Sequence, residues 1–362
     1  VEVRPAEQVL IDALGKMPEG RILCTSLGRG QFAAAAAQNR PSASVCCCFL
    51  DLSARNLAAE FHADAPANLR FECRADFPKD EIDVFAMPVT AAGDAELVRE
   101  FLQAGHVRLR LGGTMFVSTD NPADSWLHDE LRKKFAKVTR SPVEQGTLFA
   151  APKTEPLPKI KNHECRFAFR DEGRLIQAVS RPGVFSHRRV DGGARALLRT
   201  ATVRPGDRVL ELGCGSGAVS LAAAFRAEGV HVEALDSNVR AVECTRLGAE
   251  LNGLSNVAVQ LNTAEAGAEG ELFSEPFDLV FANPPYYSNY RIAEIFARCA
   301  AQSIKPEGTA LFVTKVSEWY EERLPELFGS VAVEPVGNYR VLRCQGKAAG
   351  KTRPRALQSP AD

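Results

Sequence analysis

Two segments of the chain combine residue types and spacing that could do chemistry. The first is Glu211-Leu-Gly213-Cys-Gly215-Ser-Gly217, which follows an apolar run and leads into an Ala-rich one. Glycines at such a turn remove side chains and let the backbone come close to a ligand. A dinucleotide-binding loop reads G-x-G-x-x-G. Here the third glycine arrives one residue early, and an acid, Glu211, stands before the loop. A carboxylate suits no pyrophosphate, but it suits the cationic amino acid end of S-adenosylmethionine. Asp236 closes the next apolar run, where it can accept both hydroxyls of a ribose. Asn262 follows the third run, where it can hydrogen-bond an adenine.

The second segment is Asn283-Pro284-Pro285-Tyr286, which ends a fourth apolar run. Consecutive prolines fix φ and remove two backbone donors, leaving carbonyls free to accept. The Pro284 carbonyl and the Asn283 side-chain oxygen can then converge on one planar NH₂ group and aim its lone pair at a methyl donor. Tyr286 offers a flat face on which a base can stack. Such catalysis works by positioning and needs no strong general base.

The elements that must position these residues alternate. Strands are predicted near 208–212, 231–235, 257–261, 277–282 and 308–314, with helices near 216–227, 239–251, 290–304 and 318–328. Two further strands, near 330–335 and 339–344, read as a hairpin closing the sheet. This is an α/β pattern with a mostly parallel sheet covered on both faces. The first half repeats it. Arg21-Ile-Leu-Cys-Thr-Ser-Leu-Gly28-Arg-Gly30 parallels Arg208 to Gly217, and Asp51 parallels Asp236. A spacing of 195 residues relates Asp83 to Asp278 and Gly113 to Gly308. Ordered matches along both halves indicate duplication. The first copy has Ala86-Met87-Pro88-Val89 in place of Asn283 to Tyr286, and its glycine loop lacks the acid that Glu211 supplies. It is expected to keep the fold and lack the chemistry.

The domain organisation expected is a degenerate copy at 1–150, a proline-rich linker and lead-in at 151–180, a catalytic domain at 181–346 and a disordered basic tail at 347–362. The 362 residues suffice for two domains, and a net charge of -1 signals no polyanion partner in bulk. Any RNA contact must be local, with Lys153 to Lys161, Arg181, His187, Arg188 and Arg189 as candidate phosphate contacts. The ten cysteines form no CxxC pair, and the six histidines show no ligand spacing. They read as buried thiols of a reducing cytoplasm, and no metal is expected. No apolar run is long enough to span a membrane, and the N-terminus shows no signal-peptide pattern.

These residues, with Arg181-Pro-Gly-Val-Phe-Ser186 and Val190-Asp-Gly-Gly-Ala-Arg-Ala-Leu-Leu198, resemble the two-domain bacterial ribosomal RNA guanine-N2 methyltransferases, of small-subunit type C and its large-subunit relative. The resemblance implies two tandem Rossmann-like class I methyltransferase domains with seven-stranded mixed sheets, the first degenerate. It implies transfer of a methyl group from S-adenosylmethionine to a guanine N2 of ribosomal RNA or a ribosomal subunit, by a cytoplasmic monomer. The lead-in adds Phe185 and Asp191 to the cofactor-binding set of Glu211, Gly213, Gly215, Asp236, Asn262 and Asn283. Asn283, Pro284 and Tyr286 are the catalytic candidates. Tyr287, Ser288 and Asn289 depart from the family's His and Gly-containing loop, and Gly193 departs from its Gly-Ser ending. Two other readings remain. One is a protein-glutamine or adenine-N6 methyltransferase, because Asn-Pro-Pro-Tyr serves those chemistries too. The other is a non-catalytic RNA-binding or assembly scaffold.

Overall fold

The parallel strands of this chain are short apolar runs, such as Phe277-Asp-Leu-Val-Phe-Ala282, because both faces of each are covered. The computed structural model describes residues 2–268, 272–285 and 290–348. The chain divides into two units. The first is Val1–Arg166 with Val179–Arg188 and Ser237–Glu243. The second is Phe167–Ala178, Arg189–Asp236 and Cys244–Asp362.

In the first unit the strands are β1 (Arg21–Cys24), β2 (Ser44–Phe49), β3 (Leu69–Cys73), β4 (Ile82–Val89), β5 (Leu109–Thr119), β6 (Thr139–Val143) and β7 (Gly146–Pro152). They form one sheet in the order β3-β2-β1-β4-β5-β7-β6, antiparallel only where β7 pairs with β5 and β6. Helices α1 (Pro5–Asp12), α2 (Gln31–Asn39), α3 (Leu52–Phe61), α4 (Ala95–Arg108) and α5 (Trp126–Arg132) accompany it. Two apolar clusters fill this unit, one around Phe32 and Val84 and one around Phe85 and Leu102.

A two-stranded sheet follows, β8 (Cys165–Asp171) with β9 (Arg174–Ser180), and then α6 (Gly192–Thr200). The second seven-stranded sheet comprises β10 (Arg208–Leu212), β11 (His231–Asp236), β12 (Val257–Leu261), β13 (Phe277–Ala282), β14 (Ile304–Thr314), β15 (Phe328–Val336) and β16 (Tyr339–Lys347). Its order, β12-β11-β10-β13-β14-β16-β15, is that of the first. Its helices are α7 (Ala218–Arg226), α8 (Val239–Leu251), α9 (Ala264–Ala268), α10 (Arg291–Ser303) and α11 (Glu318–Arg323).

The duplication extends to individual hydrogen bonds. Asp83 accepts from the Arg21 backbone N–H at 2.7 Å, and Asp278 accepts from that of Arg208 at 2.9 Å. Asn68 donates to the carbonyls of Ala37, Arg40 and Ala43, and Asn256 to those of Ala224 and Val230. Each asparagine thus ties a helix end to the chain entering the second strand of its sheet.

Several expectations change. The helix expected over 318–328 ends at Arg323. Pro325 then sits in a single 3₁₀ turn, and Phe328 already begins β15. A five-residue helix, α9, is too short to have left a periodic signal. The stretch expected as a linker is fastened to the first unit. Lys153 is buried with its ammonium on the Leu109 carbonyl, and Lys161 exchanges two hydrogen bonds with Gln103. The expected tail gives Lys347 to β16, and beyond Ala348 it lies outside the described residues.

Asn256→Ala should destabilise the second unit by about 1–3 kcal/mol, because the Ala224 and Val230 carbonyls lose a donor. Urea unfolding, read by fluorescence and by circular dichroism, checks this.

Candidate active site at the carboxyl edge of the second sheet

Strand register alone brings the predicted residues to one edge. Leu212 of β10 lies opposite Ala282 of β13 and Leu235 of β11, so Gly213, Asn283 and Asp236 leave the sheet as neighbours. Asp236 in turn pairs with Leu261 of β12, which places Asn262 next. This is the edge where open α/β sheets bind ligands.

The loop after β10 keeps a conformation that only glycine adopts readily. Gly213, Gly215 and Gly217 have φ of 75°, 56° and 77°. A Cβ on Gly217 would also fall 2.8 Å from the Thr245 side chain. The Thr245 hydroxyl donates to the Gly215 carbonyl at 3.2 Å, while the N–H groups of Gly213 and Cys214 donate to Leu235 O at 2.8 and 3.0 Å. Gly215 N–H donates to the Asp236 carboxylate at 2.9 Å, which fixes that carboxylate against the loop.

Glu211 is buried. Its Oε2 accepts from the Ser220 backbone N–H at 2.8 Å and from the Ser220 hydroxyl, in the first turn of α7. Burial outweighs these bonds and pushes its carboxyl up to about 8. Asn262 donates its backbone N–H to Asp236 O, and its Oδ1 accepts from Thr263 N–H at 2.8 Å. Asn283 donates its Nδ2 to Asp191 Oδ2 at 3.1 Å, and Asp191 caps α6 through Gly193 N–H at 2.7 Å. Pro284 is buried, and Tyr286 lies outside the described residues. Phe185 belongs to the segment grouped with the first unit and is 59% exposed. Sequence reasoning missed Ser220 and Thr245, which hold Glu211 and the loop. It also missed Tyr339, whose hydroxyl lies 2.7 Å from where a Gly192 Cβ would stand.

The equivalent edge of the first unit is built differently. Cys24 and Ser26 occupy the places of Glu211 and Gly213. An acid is nevertheless present, because Glu7 arrives from α1. It is fully buried, and its Oε1 accepts from the Ser26 hydroxyl and from the N–H groups of Leu27 and Gly28, at 2.7 and 3.0 Å. Its counterpart in α6 is Ala194. The loop donors of the first copy are therefore satisfied from inside the fold.

The basic residues considered for phosphate contact are largely committed elsewhere. Arg181 pairs with Asp76, Glu100 and Glu243, and Arg188 pairs with Glu96, whose carboxylate also lies 3.2 Å from His187. None of the ten cysteines forms a disulfide, and eight are buried. Cys46, Cys48 and Glu72 bring three ligand atoms within 4.8 Å of one another, with Arg70 and Arg74 on the Glu72 carboxylate. Among the described residues no helix is long and apolar enough to cross a membrane.

With this geometry in place, the similarity to known proteins is informative. Residues 176–343 match the methyltransferase small domain family. Ribosomal RNA small subunit methyltransferase C of Pseudomonas putida F1 is 30% identical over 193 residues, covering 52% of this chain and 55% of that protein. The enzyme of the same name from Salmonella gallinarum is 28% identical over 197 residues, covering 52% and 54%. The chain thus spans about half the length of these curated relatives. The uncharacterized protein YbxB of Bacillus subtilis is 29% identical over 184 residues, which cover 49% of this chain and 88% of YbxB. Among solved structures, a T. thermophilus 16S rRNA N2 methyltransferase, in complex with AdoMet and guanosine, superposes with a TM-score of 0.77. It covers 94% of this chain and 92% of its own, at 22% identity. That likeness establishes the fold alone, two tandem α/β units with seven-stranded mixed sheets.

The state of Glu211 makes stability depend on pH. Native Glu211 keeps its proton up to about 8, whereas in the unfolded chain it ionises near 4.5. Between those values the native state holds the extra proton, so stability falls as pH rises and levels off above the window. Glu211→Gln should remove this slope, a difference on the order of a few kcal/mol between pH 5 and 8. Paired urea titrations at the two pH values check it.

Proposed function

We propose that this chain transfers a methyl group from S-adenosylmethionine to the exocyclic N2 of a guanine in ribosomal RNA, using the second unit alone. The observation that carries this is Asn283. Its amide is held beside the glycine loop with one Nδ2 hydrogen on Asp191, and its Oδ1 can accept from a substrate amine.

The residues present fit the cofactor. Gly215 and Gly217 keep side chains out of the loop, Asp236 offers a fixed carboxylate for a ribose diol, and Ala194 brings no carboxylate where Glu7 stands in the first copy. Glu211 sits next to the loop with a carboxyl that a neighbouring cation would ionise. When bound, S-adenosylmethionine supplies an electrophilic methyl carbon. The protein's part is positioning. Asn283 Oδ1 and the Pro284 carbonyl grip the two amine hydrogens, and Tyr286 stacks on the base, so that the nitrogen lone pair is aimed. The first unit supports the fold or recognises RNA, and it binds no cofactor. Thiols outside any disulfide suit the cytoplasm, where the chain would act as a monomer.

Asn283→Ala should lower kcat on ribosomal RNA by about 100-fold or more while cofactor affinity moves less than about threefold, since the lost contact matters most in the transition state. Near-normal turnover would refute the mechanism. Calorimetry should find one cofactor equivalent per chain. Asp236→Ala should weaken that binding by roughly 1.5–3 kcal/mol. Two equivalents, or full affinity in the variant, would contradict the assignment of the site.

A further inference from the structure

An asparagine amide is nearly symmetric in shape and opposite in chemistry at its two ends. A half-turn about its last bond swaps an acceptor for a donor. To grip an amine, the residue ending β13 must present oxygen. An amide turned the other way would set one NH₂ against another. Something in the fold must therefore choose between two orientations of similar size and shape.

Asp191 faces Asn283 at 3.1 Å, between Oδ2 and Nδ2. An ionised carboxylate only accepts, so an amide oxygen in that place would meet a second acceptor. The carboxylate is itself fixed. Its Oδ2 takes the Gly193 N–H at 2.7 Å as the N-cap of α6, where the helix end favours negative charge. The pair leaves no room for a side chain between its members. A Cβ on Gly193 would lie 2.8 Å from Asp191 Oδ2 and 3.0 Å from Asn283 Oδ1.

The first copy shows that this cap is not needed to build the helix. There α1 forms with Arg4 at the N-cap and no side-chain cap. Ala6 stands in the place of Gly193, and strand pairing, which sets Val84 where Leu279 stands, puts Pro88 rather than Ala86 in the place of Asn283. The carboxylate, the glycine and the amide are absent together from the copy that lacks the chemistry.

We infer that Asp191 is a positioning residue, which locks the Asn283 amide with its oxygen toward the substrate amine. This inference rests on the reaction proposed above. It departs from the cofactor-binding role that the lead-in segment suggested for Asp191.

The test compares Asp191→Ser, Asp191→Asn, Asn283→Asp and the double exchange Asp191→Asn/Asn283→Asp, measuring kcat and KM on ribosomal RNA and cofactor affinity by calorimetry. Serine can still cap α6 but is too short to reach Asn283. Asp191→Ser should lose about 30-fold or more in kcat, with KM and cofactor affinity within about threefold, as for a contact that matters in the transition state. Asp191→Asn keeps an acceptor and should regain most of that loss. Asn283→Asp sets two carboxylates face to face and should be nearly inactive at pH 7. The double exchange restores one donor and one acceptor and should recover at least about tenfold over Asn283→Asp, as neighbours that act as a unit do. Wild-type kcat in Asp191→Ser, a loss confined to cofactor affinity, or strictly additive losses in the double variant would each overturn the inference. Wild-type protein that binds cofactor but methylates no RNA would instead refute the proposed reaction. The Asp191 contact then remains testable by ¹⁵N-asparagine labelling. The Asn283 NH₂ resonances should shift and exchange faster in Asp191→Ser, and unchanged resonances would overturn it.

Discussion

Parallel pairing of β10 with β13 is the constraint on which the site depends. Because Leu212 lies opposite Ala282, the glycine loop and Asn283 emerge side by side without any further device. A one-residue slip would turn every side chain of β13 to the other face and set Asn283 away from the loop. The register is protected by the core on both faces, with Val209, Leu279 and Phe281 in one cluster and Leu210, Val280 and Ala282 in the other. The Asp278 bond to Arg208 N–H fixes the entry of the same strand pair. Packing thus sets where chemistry can occur, and a few polar residues at the strand ends decide what it is.

The two halves separate those levels. They share strand order, the fourth-strand aspartate that holds the entry of the first strand, and the asparagine before the third strand that holds the entry of the second. They differ where a ligand would sit. Ser26 replaces a left-handed glycine, and Glu7 takes the N–H groups of Leu27 and Gly28, whose counterparts Cys214 and Gly215 donate to Leu235 O and to Asp236. A carboxylate buried under a glycine loop is a self-sufficient arrangement. It satisfies the loop N–H groups of Leu27 and Gly28 from inside the fold. Duplication preserved what folds the domain and left the strand ends free to change.

The strands, the glycine loop and the strand-end acids were legible because each is a local pattern: an apolar run, a glycine spacing, a charged residue at a fixed offset. What stayed hidden depends on partners far apart in sequence. Glu7 meets Ser26 across 19 positions and Asp191 meets Asn283 across 92, and no local spacing announces either. The same limit explains the basic residues. Arg181 and Lys153 read as candidate phosphate contacts, yet their partners are Asp76, Glu100 and the Leu109 carbonyl, supplied by other elements. Glu211 was legible as an acid beside the loop. Its raised proton affinity was not, because that follows from burial, which outweighs the Ser220 hydrogen bonds.

The most direct measurement is product mapping. Ribosomal RNA, incubated with the full chain and isotopically labelled S-adenosylmethionine, is digested to nucleosides and resolved by mass spectrometry. The expected result is label in N2-methylguanosine, absent when Asn283→Ala replaces the wild-type chain. Label on adenine or on protein, or cofactor binding without transfer to any guanine, would contradict the central claim.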